Sequence, residues 1–153
     1  STKYDNTGAS TGAFSKGAGA NPGSAGNGPI MPGMVAALTP SGENVAVNVG
    51  GTGLAPFGFF GNFIGGDFDE LGDFTECAVW RGHGATFEIL APVFNSNITA
   101  GAEATAAARK LFTDANGLLN ITAVAAGPAV ARLIQYVSAS KIVVEWTYAG
   151  LQS

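Results

Sequence analysis

The sequence predicts a mainly β chain: one or two small antiparallel β-barrel or sandwich units preceded by an extended Gly-rich N-terminal arm. Two observations carry this. Residues 1–30 consist almost wholly of Gly, Ala, Ser, Asn, Thr and Pro, which cannot bury enough apolar surface to fold alone. From Pro29 onward, short apolar runs alternate with Gly, Pro and Asn turn signals, the pattern of short strands.

The arm is read as residues 1–30, a first β unit as 31–98 and a second as 99–153. Pro29, Pro32 and Gly33 mark the first boundary. Met34–Leu38 and Val45–Val49 flank Pro40-Ser41-Gly42-Glu43, and Val45, Val47 and Val49 share one face, so a hairpin is expected. Phe57–Ile64 is a second apolar run. Cys77–Trp80 and Thr86–Leu90 read as strands around Arg81-Gly82-His83-Gly84. Ala100–Lys110 is rich in Ala, with Thr99 as a candidate N-cap, and could form a short helix. Asn116-Gly117 supplies the positive φ that a tight hairpin needs between Lys110–Thr113 and Leu118–Thr122. Val130–Val137 and Ile142–Tyr148 complete the set. The strand, turn, strand layout of Val35–Val45 returns at Lys110–Asn120, each followed by an apolar strand, which predicts a degenerate internal repeat. In that alignment Thr86–Leu90 corresponds to Ile142–Trp146.

Charged residues make up 12% of the 153, about half the roughly 25% usual for a soluble domain. Mean hydropathy is +0.25, yet no apolar run approaches the roughly 18 residues of a membrane helix. Burial against neighbouring subunits accounts for the missing charge, since the cores of permanent interfaces are depleted in charge. The competing account is a secreted protein solubilised by hydroxyls and amides. No Lys or Arg occurs from Gly17 to Trp80, so the basic track that nucleic acid requires is missing. Cys77 is the sole cysteine. No disulfide framework exists, which fits synthesis in a reducing cytoplasm.

No constellation supports catalysis, and no cofactor is expected. His83 is the only histidine and sits in a Gly-rich turn without a Gly-x-Ser-x-Gly elbow. Gly50-Gly51-Thr52-Gly53 lacks the Lys-Ser/Thr of a phosphate loop. Asn97-Ile98-Thr99 and Asn120-Ile121-Thr122 match the glycosylation pattern, as chance allows in an Asn- and Thr-rich chain. Asp67, Asp69 and Asp73 are the candidate metal ligands, for Ca²⁺, but the rest of the twelve-residue calcium loop is missing. A solvated or partner-facing acidic loop is the competing reading.

The aromatics remain. Tyr4 and Phe14 interrupt the small-residue arm as candidate anchors in a partner. Phe57, Phe59 and Phe63 share one parity along their strand and Phe60 has the other. Phe60 is therefore a third candidate partner contact on an outer face, against the alternative that both faces are covered from within the chain.

From about Pro29 to Leu90 the order of features resembles that of lambda-type head decoration proteins of tailed bacteriophages. The matching residues are Pro29-Ile30-Met31-Pro32-Gly33-Met34, the hairpin from Leu38 to Ala46, Gly51-Thr52, Phe57-Gly58-Phe59 and the stretch from Arg81 to Ile89. The resemblance implies a cement protein on the capsid exterior, bound to the major capsid protein, with the arm clamping neighbouring subunits. It also implies a homo-oligomer. The second β unit and the longer arm depart from that pattern and leave its usual trimer open. The alternatives are a phage collar or tail subunit and an extracellular carbohydrate-binding or adhesin-like module.

Overall fold

The computed structural model describes residues 3–4, 10–16, 30–38, 44–48, 50, 55–61, 76–107, 109–123 and 127–149, with the backbone course alone at 3–4, 10–16, 44–46 and 76–77. The chain is mainly β, as its short apolar runs predict. The strands are β1 (Lys3–Tyr4), β2 (Ser10–Lys16), β3 (Val35–Leu38), β4 (Asn44–Val47), β5 (Pro56–Phe60), β6 (Glu76–Arg81), β7 (Thr86–Leu90), β8 (Lys110–Thr113), β9 (Leu119–Asn120), β10 (Ala131–Ser138) and β11 (Lys141–Trp146). Among the described residues of the 100–110 stretch there is one 3₁₀ turn, Ala102–Ala104, begun by Gly101 at φ 83°. Thr99 caps nothing with its side chain there; its carbonyl accepts from Ala102 N–H at 3.2 Å.

The strands form two bodies. One is a closed barrel in the order β2-β4-β3-β5-β6, the other a six-stranded sheet in the order β1-β7-β11-β10-β8-β9. The leader is thus part of both. Ser10–Ser15 run antiparallel to Arg81–Glu76, Ser15 and Lys16 pair in parallel with Asn44 and Val45, and Lys3 and Tyr4 pair with Glu88 and Phe87. Ile30, which closes the leader, is buried. Edges of β4 and β6 offer unpaired backbone groups, and a chain of small residues satisfies them without needing an apolar face of its own.

Strand β7 is bonded to β11, not to the barrel, so residues 81–84 do not make a hairpin. Gly82 at φ 138° and Gly84 at φ 86° instead carry the chain from one body to the other. The change of sheet lies there, ahead of the 98/99 boundary expected from sequence. The two bodies then have the same strand order. β2-β6-β5-β3-β4 corresponds to β7-β11-β10-β8-β9, with every one of those neighbours antiparallel. Even the closure corresponds: Phe94, just past β7, bridges in parallel to Leu119 of β9, as the end of β2 does to β4. The sequence alignment agrees with this order for β3, β4 and β5 against β8, β9 and β10 and departs from it at its last pair, where β11 matches β6 and not β7.

The core runs through both bodies. Phe59 packs edge-on against Phe87, with ring centroids 5.0 Å apart, and against Trp146 at 5.1 Å. Strand β5 is therefore covered on both faces, one toward the barrel interior and the other toward β7 and β11. Gly117, at φ 82°, lets the β8–β9 turn press on the barrel: a Cβ there would overlap Val47 Cγ1. The Gly117 carbonyl accepts from Val35 N–H at 2.9 Å, and the Asp114 carbonyl from Gly50 N–H at 2.9 Å. Asp114 Oδ1 accepts from Asn116 and Leu118 N–H at 2.7 and 3.0 Å, building the expected turn. Beside it, buried Thr113 Oγ1 has no hydrogen-bond partner among the described residues. Replacing Thr113 by Val should raise stability by about 1 kcal/mol, because it removes a desolvated hydroxyl and keeps the shape; urea denaturation would read the gain.

Candidate functional site

A surface site in this chain must come from residues the core does not consume. Among the described residues the large apolar side chains left in solvent are Ile134, 38% exposed, and Val137, 44% exposed. Both owe their position to β10. Leu133 pairs with Val144 and Gln135 with Val143, so Ile134 is skipped; Tyr136 pairs with Ile142 and Ser138 with Lys141, so Val137 is skipped. Ile134 faces outward by ordinary alternation from buried Leu133, and the irregularities reset that alternation so that Val137 faces outward as well. Without them, strict alternation from buried Leu133 would have put Gln135 and Val137 inside.

Two ion pairs lie beside this strand. Arg132 donates to Glu145 Oε1 from Nε at 3.0 Å and from Nη2 at 2.7 Å, and Lys141 Nζ lies 3.0 Å from Glu88 Oε1. The free edge of β10 beyond Arg132 is partly closed by the 3₁₀ turn, where Glu103 Oε2 accepts from Tyr136 N–H at 2.5 Å. Arg109 Nε in turn donates to the Glu103 carbonyl. The result is two exposed apolar side chains on a strand flanked by ion pairs, apolar surface that costs little to dehydrate.

Of the residues singled out from sequence, Phe60 is placed elsewhere than expected. It is 0% exposed, because the second body covers the outer face of β5 and the barrel interior takes the other. Its amide donates to the Met34 carbonyl at 2.9 Å, and its carbonyl accepts from Gly33 at 2.8 Å. Phe60 is a core residue and not a surface contact. Tyr4 lies in β1 and Phe14 in β2, opposite Phe87 and Cys77 in register. Asp67, Asp69 and Asp73 fall outside the described residues, as does Phe63. His83 is exposed in the crossover between the two bodies. Asn97 and Asn120, of the two glycosylation-like triplets, are turned inward on each other. Asn97 Nδ2 donates to Asn120 Oδ1, and Asn120 Nδ2 donates to the Thr122 carbonyl at 3.0 Å. Among the described residues no cluster of His, Cys, Asp and Glu could hold a metal ion, and no helix is long and apolar enough to cross a membrane.

Ile134 and Val137 were missed because the run Val130–Val137 reads as one long buried strand. The signal was present in its broken alternation, where Arg132 and Gln135 interrupt the apolar positions at uneven spacing.

A family model for phage cement proteins matches residues 7–152. The chain belongs to the phage cement protein family. Comparison with curated proteins and with solved structures gave no significant match. Membership makes this a structural protein of the phage virion, located at the capsid and associated with capsid proteins. The match begins before β2 and ends after β11, so the family pattern includes both bodies and the leader strand that joins the barrel. The low charge of the cement protein, and its lack of a basic track, accord with a shell component that meets protein surfaces.

Proposed function

We propose that this cement protein binds the outside of the phage capsid and stabilises the shell by bridging major capsid subunits, without catalytic activity. The family match over residues 7–152 carries this reading. The contact surface is assigned to Ile134 and Val137 on β10, assisted by the leader, with Tyr4 as its anchor. A ligand that binds the assembled shell and not its separated subunits stabilises the shell by mass action, so many modest contacts suffice. The two corresponding bodies are read as an internal repeat, with the change of unit at residues 82–84.

The test adds purified protein to capsids stripped of it and measures occupancy and the temperature at which heads rupture. The wild type should bind the exterior and raise the rupture temperature. The double substitution Ile134→Asp and Val137→Asp should leave the circular dichroism spectrum intact and cut affinity by about thirtyfold, as loss of about 2 kcal/mol of apolar burial implies. Full occupancy by the double variant would remove the β10 surface. Failure of the wild type to bind would remove the capsid-exterior reading.

A further inference from the structure

We propose that β2 is an exchangeable strand: residues 10–16 of one copy occupy the seat between β4 and β6 in the barrel of a second copy. The proposal concerns contact between copies of this chain and stands whichever shell surface is bound.

The comparison between the two bodies points to it. β7 holds the position in the second body that β2 holds in the first, and β7 brings Phe87 and Ile89 into the core. Ser10–Lys16, with the sequence STGAFSK, carries Phe14 as its only large apolar residue. What holds β2 is therefore mostly backbone: a ladder from Ser10 to Ser15 along β6 and a short parallel one at Ser15 and Lys16 along β4. A backbone ladder does not distinguish the chain's own strand from the identical strand of another copy. Exchange keeps every pairing, and Phe14 meets the same register position opposite Cys77.

What decides between the two is the connection. Residues 17–29 join β2 to Ile30, and they include Gly17, Gly19, Gly23, Gly26 and Gly28. At full extension this segment reaches about 45 Å, roughly the width of a small domain or more. A Gly-rich connection of this length holds its own strand at an effective concentration of order mM. In dilute solution the chain's own β2 wins. Where copies crowd to that density, as on an ordered surface, a neighbour's β2 competes on equal terms and the copies become interlocked.

Cys77 makes the exchange readable. Phe14 and Cys77 are paired across β2 and β6, and facing residues in an antiparallel pair lie about 4.5–5.5 Å apart at Cα, within the range a disulfide spans. The variant Phe14→Cys is folded, oxidised and run on a non-reducing denaturing gel. At about 10 μM the product should be a monomer with an internal bond, and at about 1 mM covalent dimers or trimers should be enriched at least tenfold. Capsids saturated with the variant should give the same covalent oligomers. Where loss of Phe14 prevents folding, Ala13→Cys with Ala78→Cys in a Cys77→Ala background crosslinks the adjacent register pair instead. Internally bonded monomer alone, at every concentration and on the capsid, overturns the proposal.

Discussion

Replacement of Phe59 by alanine is expected to lower stability by about 4 kcal/mol, the middle of the range for loss of a buried aromatic. Phe59 is fully buried, and its ring meets Phe87 and Trp146 at interplanar angles of 66° and 79°, an arrangement worth roughly 0.5–1.5 kcal/mol beyond area alone. The loss falls at the seam, since Phe59 belongs to the barrel while Phe87 and Trp146 belong to the six-stranded sheet. A domain of ordinary stability holds only about 5–15 kcal/mol in reserve. Urea denaturation followed by tryptophan fluorescence should show an earlier midpoint, and Phe59→Leu should recover more than half of the difference. A midpoint unchanged by the alanine substitution would mean that the two bodies do not share this core.

Truncation of the leader should give two different outcomes at two cut points. Removal of residues 1–9 deletes β1, which pairs with β7 at Lys3 and Tyr4 alone, and should leave a folded protein with weakened capsid binding. Removal of residues 1–16 deletes β2 as well. The barrel then has unpaired edges at β4 and β6, and the amides of Glu76–Arg81 lose the partners they had along Ser10–Ser15. Exposed edges of this kind promote aggregation. Hydrogen exchange should show β6 protected in the shorter truncation and unprotected in the longer one, with the longer one aggregating on size-exclusion chromatography. A synthetic peptide of residues 10–16 added in trans should restore protection, since the seat reads mainly backbone. A soluble, β6-protected protein after removal of residues 1–16 would show that the barrel closes without β2.

The strands legible in the sequence were those whose partners lie nearby. Val45 and Val47 alternate after the sequence Pro-Ser-Gly, Ile142, Val144 and Trp146 alternate beside Ser138–Ser140, and Asn116-Gly117 marks the β8–β9 hairpin; each signal is local and each strand formed. Residues 10–16 carry no such signal. They become a strand because β4 and β6, far along the chain, leave backbone groups unpaired, and no window of sequence around Ala13 records that. Phe60 failed for the same reason: parity told that it faced away from Phe59, but not that the β7–β11 sheet would cover one side of β5 and the barrel the other. The crossover at residues 81–84 resembled a hairpin loop because Gly-His-Gly bends the chain in either case. Only the distant partners of β6 and β7 decide which it is. At the candidate site, the outward turn of Val137 was hidden by bulges, whose origin lies in the register against β11 and not in the apolar run itself.

The place of β2 in the barrel also sets a schedule for the ribosome. Ser10 leaves the exit tunnel early, yet its register partner Arg81 follows only after most of the first body has been made. Vectorial synthesis therefore obliges the nascent leader to wait, and sheet closure between such distant segments is slow compared with forming a local hairpin. On a polysome, where many ribosomes follow one another along a single message, that waiting interval is when one newborn polypeptide can lend its β2 to the next.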